Sequence, residues 1–194
     1  MARADVADVA AGADVARADV AGVWQGVWQH WGPVLVASAL GLPVAVLLVV
    51  VLRKIGRPVR FAVAEVFGVA GTLPWLWMIL TPEPGGERRL SLVPLTDLVA
   101  HDQVVQIGGN LLVFAALGAA LPVRWAVGTA QVALVAALAS GTVEILQYTL
   151  NLGRVSSVDD VLLNTFGAVL AAQVSRKWWR SRSGDAARAA APVR

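Results

Sequence analysis

Pro33 to Leu52 is a run of 20 residues without a charge. An α-helix rises 1.5 Å per residue, so about 20 residues cross a hydrocarbon layer about 30 Å thick. Further apolar blocks follow at about 61–80, 104–121, 125–150 and 158–174. The chain is therefore expected to be an all-α, polytopic membrane helix bundle with about five transmembrane helices. Composition agrees, since 57% of residues are hydrophobic and 15% are charged, where a soluble domain has about a quarter charged.

The pI of 10.2 does not point to nucleic acid. The arginines sit beside the apolar blocks and form no binding stripe. The absence of cysteine excludes disulfides, a thiol nucleophile and thiolate metal sites. No signal peptide is visible: the N-terminal stretch is acidic, and the first apolar run is long enough to stay as an anchor.

Residues 1–22 repeat Ala-Asp-Val at positions 4, 7, 13 and 18. This low-complexity stretch is expected to be mobile or loosely helical, with a mis-assigned start codon as the alternative. Trp24, Trp28 and Trp31 share one face of a helix, as an interfacial aromatic belt would. The organisation expected is residues 1–32 as a low-complexity and interfacial segment, 33–80 as two spans, 90–175 as a three-span domain and 176–194 as a basic cytoplasmic tail.

Basic residues orient the spans. Arg53, Lys54, Arg57, Arg60, Arg124, Arg176, Lys177, Arg180 and Arg182 fall on one side, and Arg88, Arg89 and Arg154 on the other. This places the N-terminus outside and the C-terminus in the cytoplasm, with Trp178 and Trp179 as an inner anchor.

That orientation gives the polar residues of the last three spans a common depth, in the outer leaflet. Gln106 and Asn110 lie at the outer end of the third span, Glu144 and Gln147 at that of the fourth, and Asp159, Asp160 and Asn164 at that of the fifth. Spacings of three and four put Ala133, Ala137, Ser140, Glu144 and Gln147 on one stripe. The same holds for Asp160, Asn164, Gly167, Ala171 and Val174, and for Gln106, Asn110, Phe114, Leu117 and Leu121. Small residues on the inner halves let helices approach closely. A carboxylate facing lipid near the bilayer centre costs about 3 kcal/mol, so Glu144 is expected to face inward. Its candidate partners are Arg154, Asn110, Asn164 and Gln147.

Structural roles compete with functional ones. Ser156 with Asp159, and Ser157 with Asp160, fit a helix capping box. Asn110 and Asn164 suit helix bridging. Glu65 suits an ion pair with Arg60, and Asp102 an N-cap. Gly108-Gly109 suits helix contact rather than a phosphate cradle. A metal site from His101, Glu144 and Asp160 has no supporting ligand spacing, and neither a metal nor a cofactor is expected.

In these residues the chain resembles the VanZ-like family of bacterial multi-pass membrane proteins. The resemblance rests on Asn110, Phe114, Gly118 and Pro122 in NLLVFAALGAALP, on Glu144 and Gln147 in EILQ, and on Arg154, Asp159, Asp160, Asn164 and Gly167 in GRVSSVDDVLLNTFG. LVPL at 92–95 is similar to a loop motif before that family's Asn-bearing helix. The family often has proline where Ala116 stands, an acid at Ser157, Asn at Ser91 and Phe at Leu95. The resemblance implies a protein of the bacterial cytoplasmic membrane, in a family whose namesake is associated with teicoplanin resistance.

Three functions compete. In the first, the cluster binds a polar head of a membrane lipid, a lipid-linked envelope intermediate or a lipoglycopeptide. Asn110, Gln147 and Asn164 would then give hydrogen bonds, Arg154 would meet phosphate or carboxylate, Glu144 and Asp160 would meet an amine or hold Arg154 in place, and Asp159 would complete the ligand-binding set. In the second, an intramembrane enzyme uses Glu144 as general acid or base with Asp160 as partner. In the third, the polar groups only lock helices together. Transport is disfavoured by the lack of paired inverted repeats or broken helices. The sequence leaves the oligomeric state open.

Overall fold

A computed structural model describes the backbone of residues 2–95 and 104–179, and side chains from residue 22 onward apart from residue 23. The helices are α1 (Ala2–Lys54), α2 (Val59–Leu80), α3 (Val104–Val113), α4 (Ala115–Arg124), α5 (Thr129–Thr149) and α6 (Val158–Val174). Two three-residue strands, β1 (Arg89–Ser91) and β2 (Val155–Ser157), precede α3 and α6. His101, Asp102 and the tail from 180 lie outside the described residues.

The fold is the expected all-α bundle. Its outer surface is apolar: Leu40, Leu47, Phe67, Leu138, Ile145, Leu162 and Phe166 are all exposed. A water-soluble monomer rarely shows so continuous an apolar surface, whereas acyl chains solvate it. Among the described residues, four segments are long and apolar enough to cross a membrane: Trp24–Lys54, Val59–Leu80, Val104–Arg124 and Thr129–Thr149. The fifth expected span, α6, has 17 residues. At 1.5 Å each it reaches about 26 Å, short of a full hydrocarbon layer. It packs against α3, α4 and α5, so its neighbours shield it.

Glycines set the helix spacing. A Cβ on Gly118 of α4 would lie 2.2 Å from the Ala168 carbonyl oxygen of α6, and one on Gly167 of α6 would lie 2.0 Å from that of Leu111 in α3. Gly68 and Gly71 of α2 face the methyl groups of Ala120 and Ala116 in α4. Backbones approach this closely only where a side chain is missing. Ala116 is thus buried against Gly71.

The third span is not one uninterrupted helix as expected. It breaks at Phe114 (φ −109°, ψ 10°) between α3 and α4. The Gly118 N–H still donates to the Phe114 carbonyl at 2.8 Å, so the break is a local kink and not a pair of separated half-helices.

The ends of the bundle differ. At one end, Glu65 of α2 accepts from Arg124 and lies 3.3 Å from Arg57. The expected Arg60 instead stacks over Phe61. Trp179 donates to the Ala172 carbonyl at 3.0 Å and turns inward, while Trp178 stays exposed. At the other end two loops close over the bundle. β1 and β2 pair in parallel, Arg89 with Val155, Leu90 with Ser156 and Ser91 with Ser157. Glu83 N–H donates to the Leu152 carbonyl at 2.8 Å. Gly153, at φ +71°, would put a Cβ 2.3 Å from the Glu83 carbonyl oxygen, so this turn needs glycine both for its backbone angle and for space.

Candidate functional site

Beneath the paired loops lies a cavity of about 1220 Å³. Its walls come from the start of the membrane part of α1, the end of α2, α3, α5, α6 and both loops. Of the residues expected in the site, Asn110, Glu144, Gln147, Arg154, Asp160 and Asn164 all line it, as does Gln106. Asp159 does not appear on the wall. It is fully buried, and its Oδ1 accepts from the Leu95 N–H at 2.6 Å. Leu95 has φ +68°, a strained angle for this residue, and the Asp159 carboxylate holds the loop in that conformation.

Ser140, Glu144 and Gln147 are all buried on α5, because their three- and four-residue spacing turns them to one side. Glu144 Oε2 accepts from the Ser157 N–H at 3.0 Å, and its backbone carbonyl accepts from Ser156 Oγ at 3.0 Å. Its partner is thus the β2 backbone, not Arg154. Gln147 Nε2 donates to the Ile79 carbonyl of α2 at 2.9 Å. On α6, Asn164 Nδ2 donates to Ser140 Oγ at 2.8 Å. Asn110 of α3 donates to Asp160 Oδ1. The amides therefore do bridge helices. They also have capacity left: among the described residues, the buried Gln147 Oε1 and Asn164 Oδ1 have no hydrogen-bond partner.

Ser157 is the α6 N-cap, and its hydroxyl accepts from Asp159 N–H at 3.1 Å. Asp160 is turned to Asn110 and the cavity. One of the two competing readings of this acid pair thus applies to each member: Asp159 is structural, Asp160 faces the site.

Arg154 sits at the rim. Its Nη1 is 3.7 Å from Glu83 Oε2, and its Nε is 3.5 Å from the Thr81 carbonyl oxygen. Glu83, Glu87 and Arg89 line the same rim, and Arg88 stacks on Tyr148 at 4.0 Å. These loop charges served in the sequence only to orient the spans. Nothing there placed Gln29 and His30 of α1 on the wall, yet both line it. Trp31 also differs from expectation. Trp24 and Trp28 are 67% and 63% exposed, as an interfacial belt requires. Trp31 turns inward instead, edge-on to Trp75 with ring centroids 5.6 Å apart, and lies on Gly108 and Gly109. The glycine pair is a seat for this indole.

Among the described residues, no group of three or more His, Cys, Asp or Glu is arranged to hold a metal. Among the described residues the site is thus a polar chamber with two amide side chains whose buried oxygens lack a partner, two carboxyl groups on helix walls and a mixed-charge rim.

A family model described as VanZ/LLP1 matches residues 69–179. These residues run from within α2 to the turn after α6 and include every α3, α5 and α6 residue of the chamber. No curated protein and no solved structure matches the chain.

Proposed function

The chain belongs to the VanZ/LLP1 family, and from that premise we propose that its chamber binds the polar head of a lipid-anchored molecule in the outer leaflet of the bacterial cytoplasmic membrane. One observation carries this reading. Gln147 and Asn164 line a cavity of about 1220 Å³, and their buried side-chain oxygens, Oε1 and Oδ1, have no partner among the described residues. A buried acceptor left unpaired costs about 1–3 kcal/mol, and a ligand donor removes that cost. Asn110, Gln147 and Asn164 supply hydrogen bonds, and Arg154 offers its guanidinium to phosphate or carboxylate at the rim. The orientation with the chamber outward rests on the basic-residue bias. Extraction in mild detergent and mass spectrometry of co-purifying lipids tests the reading. A defined lipid enriched on the native protein and depleted on Glu144→Gln supports it; a bare protein, or the same lipids on both, overturns it.

A role in cell-envelope function or teicoplanin-type resistance rests on family membership alone, and fold does not carry function. Growth on teicoplanin with and without the chain measures it. The helix-bridging bonds of Asn110, Gln147 and Asn164 favour a second reading, a structural lock. That reading expects Glu144→Gln and Asp160→Asn to lower abundance rather than ligand content.

A further inference from the structure

The helix walls of the chamber carry amide acceptors and carboxyl groups. Gln147 and Asn164 are 6% and 2% exposed, and each has a buried side-chain carbonyl oxygen with no partner among the described residues. The orientation of the Gln147 amide is fixed, because its Nε2 is spent on the Ile79 carbonyl, which can only accept. Glu144 and Asp160 stand on the same walls. One N–H from Ser157 uses one of the roughly four lone-pair sites of the Glu144 carboxylate. Around the whole cavity the carboxyl groups are Glu83, Glu87, Glu144 and Asp160, against the guanidinium groups of Arg89 and Arg154. Both arginines belong to the loops, and Arg154 lies beside Glu83. Among the described lining residues the guanidinium groups thus stand at the rim, while Glu144, Asp160 and the two amides stand on the helix walls.

We propose, on the headgroup-binding reading above, that the helix walls of the chamber, at Glu144 and Asp160, take a primary ammonium group, with Arg154 at the rim facing the anionic part of the same ligand. An ammonium brings three N–H donors and a positive charge. It can donate to an amide oxygen and also to a carboxyl group on the same low-dielectric wall. A quaternary ammonium has the charge but no N–H, and a hydroxyl head has donors but no charge. Neither fills both needs.

The test uses the full chain in detergent and native mass spectrometry, titrated with an equimolar mixture of phosphatidylethanolamine, phosphatidylcholine and phosphatidylglycerol. The result expected is retention of phosphatidylethanolamine at least about tenfold above the other two, as charge-assisted hydrogen bonds imply. Glu144→Gln and Asp160→Asn each keep an oxygen for the Ser157 N–H or Asn110 bond, so they are expected to fold, and each is expected to reduce that preference. Equal retention of the ethanolamine and choline lipids overturns the ammonium assignment. So does a preference for phosphatidylglycerol, which leaves headgroup binding standing. Retention of none of the three, repeated with free ethanolamine as probe and with no binding there either, overturns the assignment as well. Displacement of bound lipid by free ethanolamine supports the assignment with a soluble amine as source, whereas phosphatidylethanolamine retained against it supports a lipid source.

Discussion

Gly167→Ala gives a sharp test of how the bundle is spaced. A Cβ at this position would lie 2.0 Å from the Leu111 carbonyl oxygen and 2.7 Å from its carbon. Ordinary contact begins at 3.4 Å, so α3 and α6 must separate by about 1.4 Å. The opposing atoms are backbone and cannot rotate away. Overpacking of this kind costs about 1–3 kcal/mol. The separation also reaches the site, because Leu111 follows Asn110 and Gly167 lies one turn beyond Asn164, so the Asn110–Asp160 hydrogen bond is stretched. Gly141→Ala in α5 is the control: nothing lies within 4 Å of its Cβ position, and alanine favours a helix over glycine by about 1 kcal/mol. Thermal unfolding of both variants in one detergent is the assay. Gly167→Ala should lose stability and Gly141→Ala should not. Equal behaviour would refute the close α3–α6 crossing.

Three further outcomes follow from the same geometry. Gly153→Ala should loosen the paired loops, because its φ is +71° and its Cβ would lie 2.3 Å from the Glu83 carbonyl oxygen; faster proteolysis in 81–95 and 150–157 would report it. Asp159→Ala should cost about 1–3 kcal/mol by leaving the Leu95 N–H without this acceptor, with Asp159→Asn milder because an acceptor oxygen remains, and thermal unfolding separates the two. Trp31→Leu should lose at least the aromatic-pair contribution with Trp75, about 0.5–1.5 kcal/mol, and should shift the tryptophan emission more than Trp24→Leu, whose ring is exposed.

Helical periodicity carries the reading of the site where a helix has one buried side. On α5, Ser140, Glu144 and Gln147 fall on the buried face as spaced. On α6 the stripe is right at Asn164 and Gly167 and then drifts. Val174 is 78% exposed, while Ala168, Ala172 and Ser175 are buried. Being packed by α3, α4 and α5, α6 has no single inward stripe to find. In α4, Ala116, Gly118, Ala120 and Pro122 are all buried, because α2 and α6 cover opposite sides. The β1–β2 ladder was not legible: its strands are three residues each and distant in the chain. For the same reason the sequence points Arg154 to the nearby Glu144, whereas it lies beside Glu83 of the other loop. Trp31 shares its spacing with Trp24 and Trp28, and only tertiary contact with Gly108, Gly109 and Trp75 sets it apart.

Thiol accessibility measures the chamber directly, since the native chain has no cysteine. Gln106→Cys and Met78→Cys would stand on the cavity wall, and Leu138→Cys and Ile145→Cys on the apolar outside. In intact cells treated with a membrane-impermeant maleimide, the two wall positions should label and the two apolar positions should not, because a thiol in hydrocarbon neither ionises nor meets the reagent. Labelling of Leu138→Cys and Ile145→Cys with protection of Gln106→Cys and Met78→Cys would contradict a polar chamber open to the outer face.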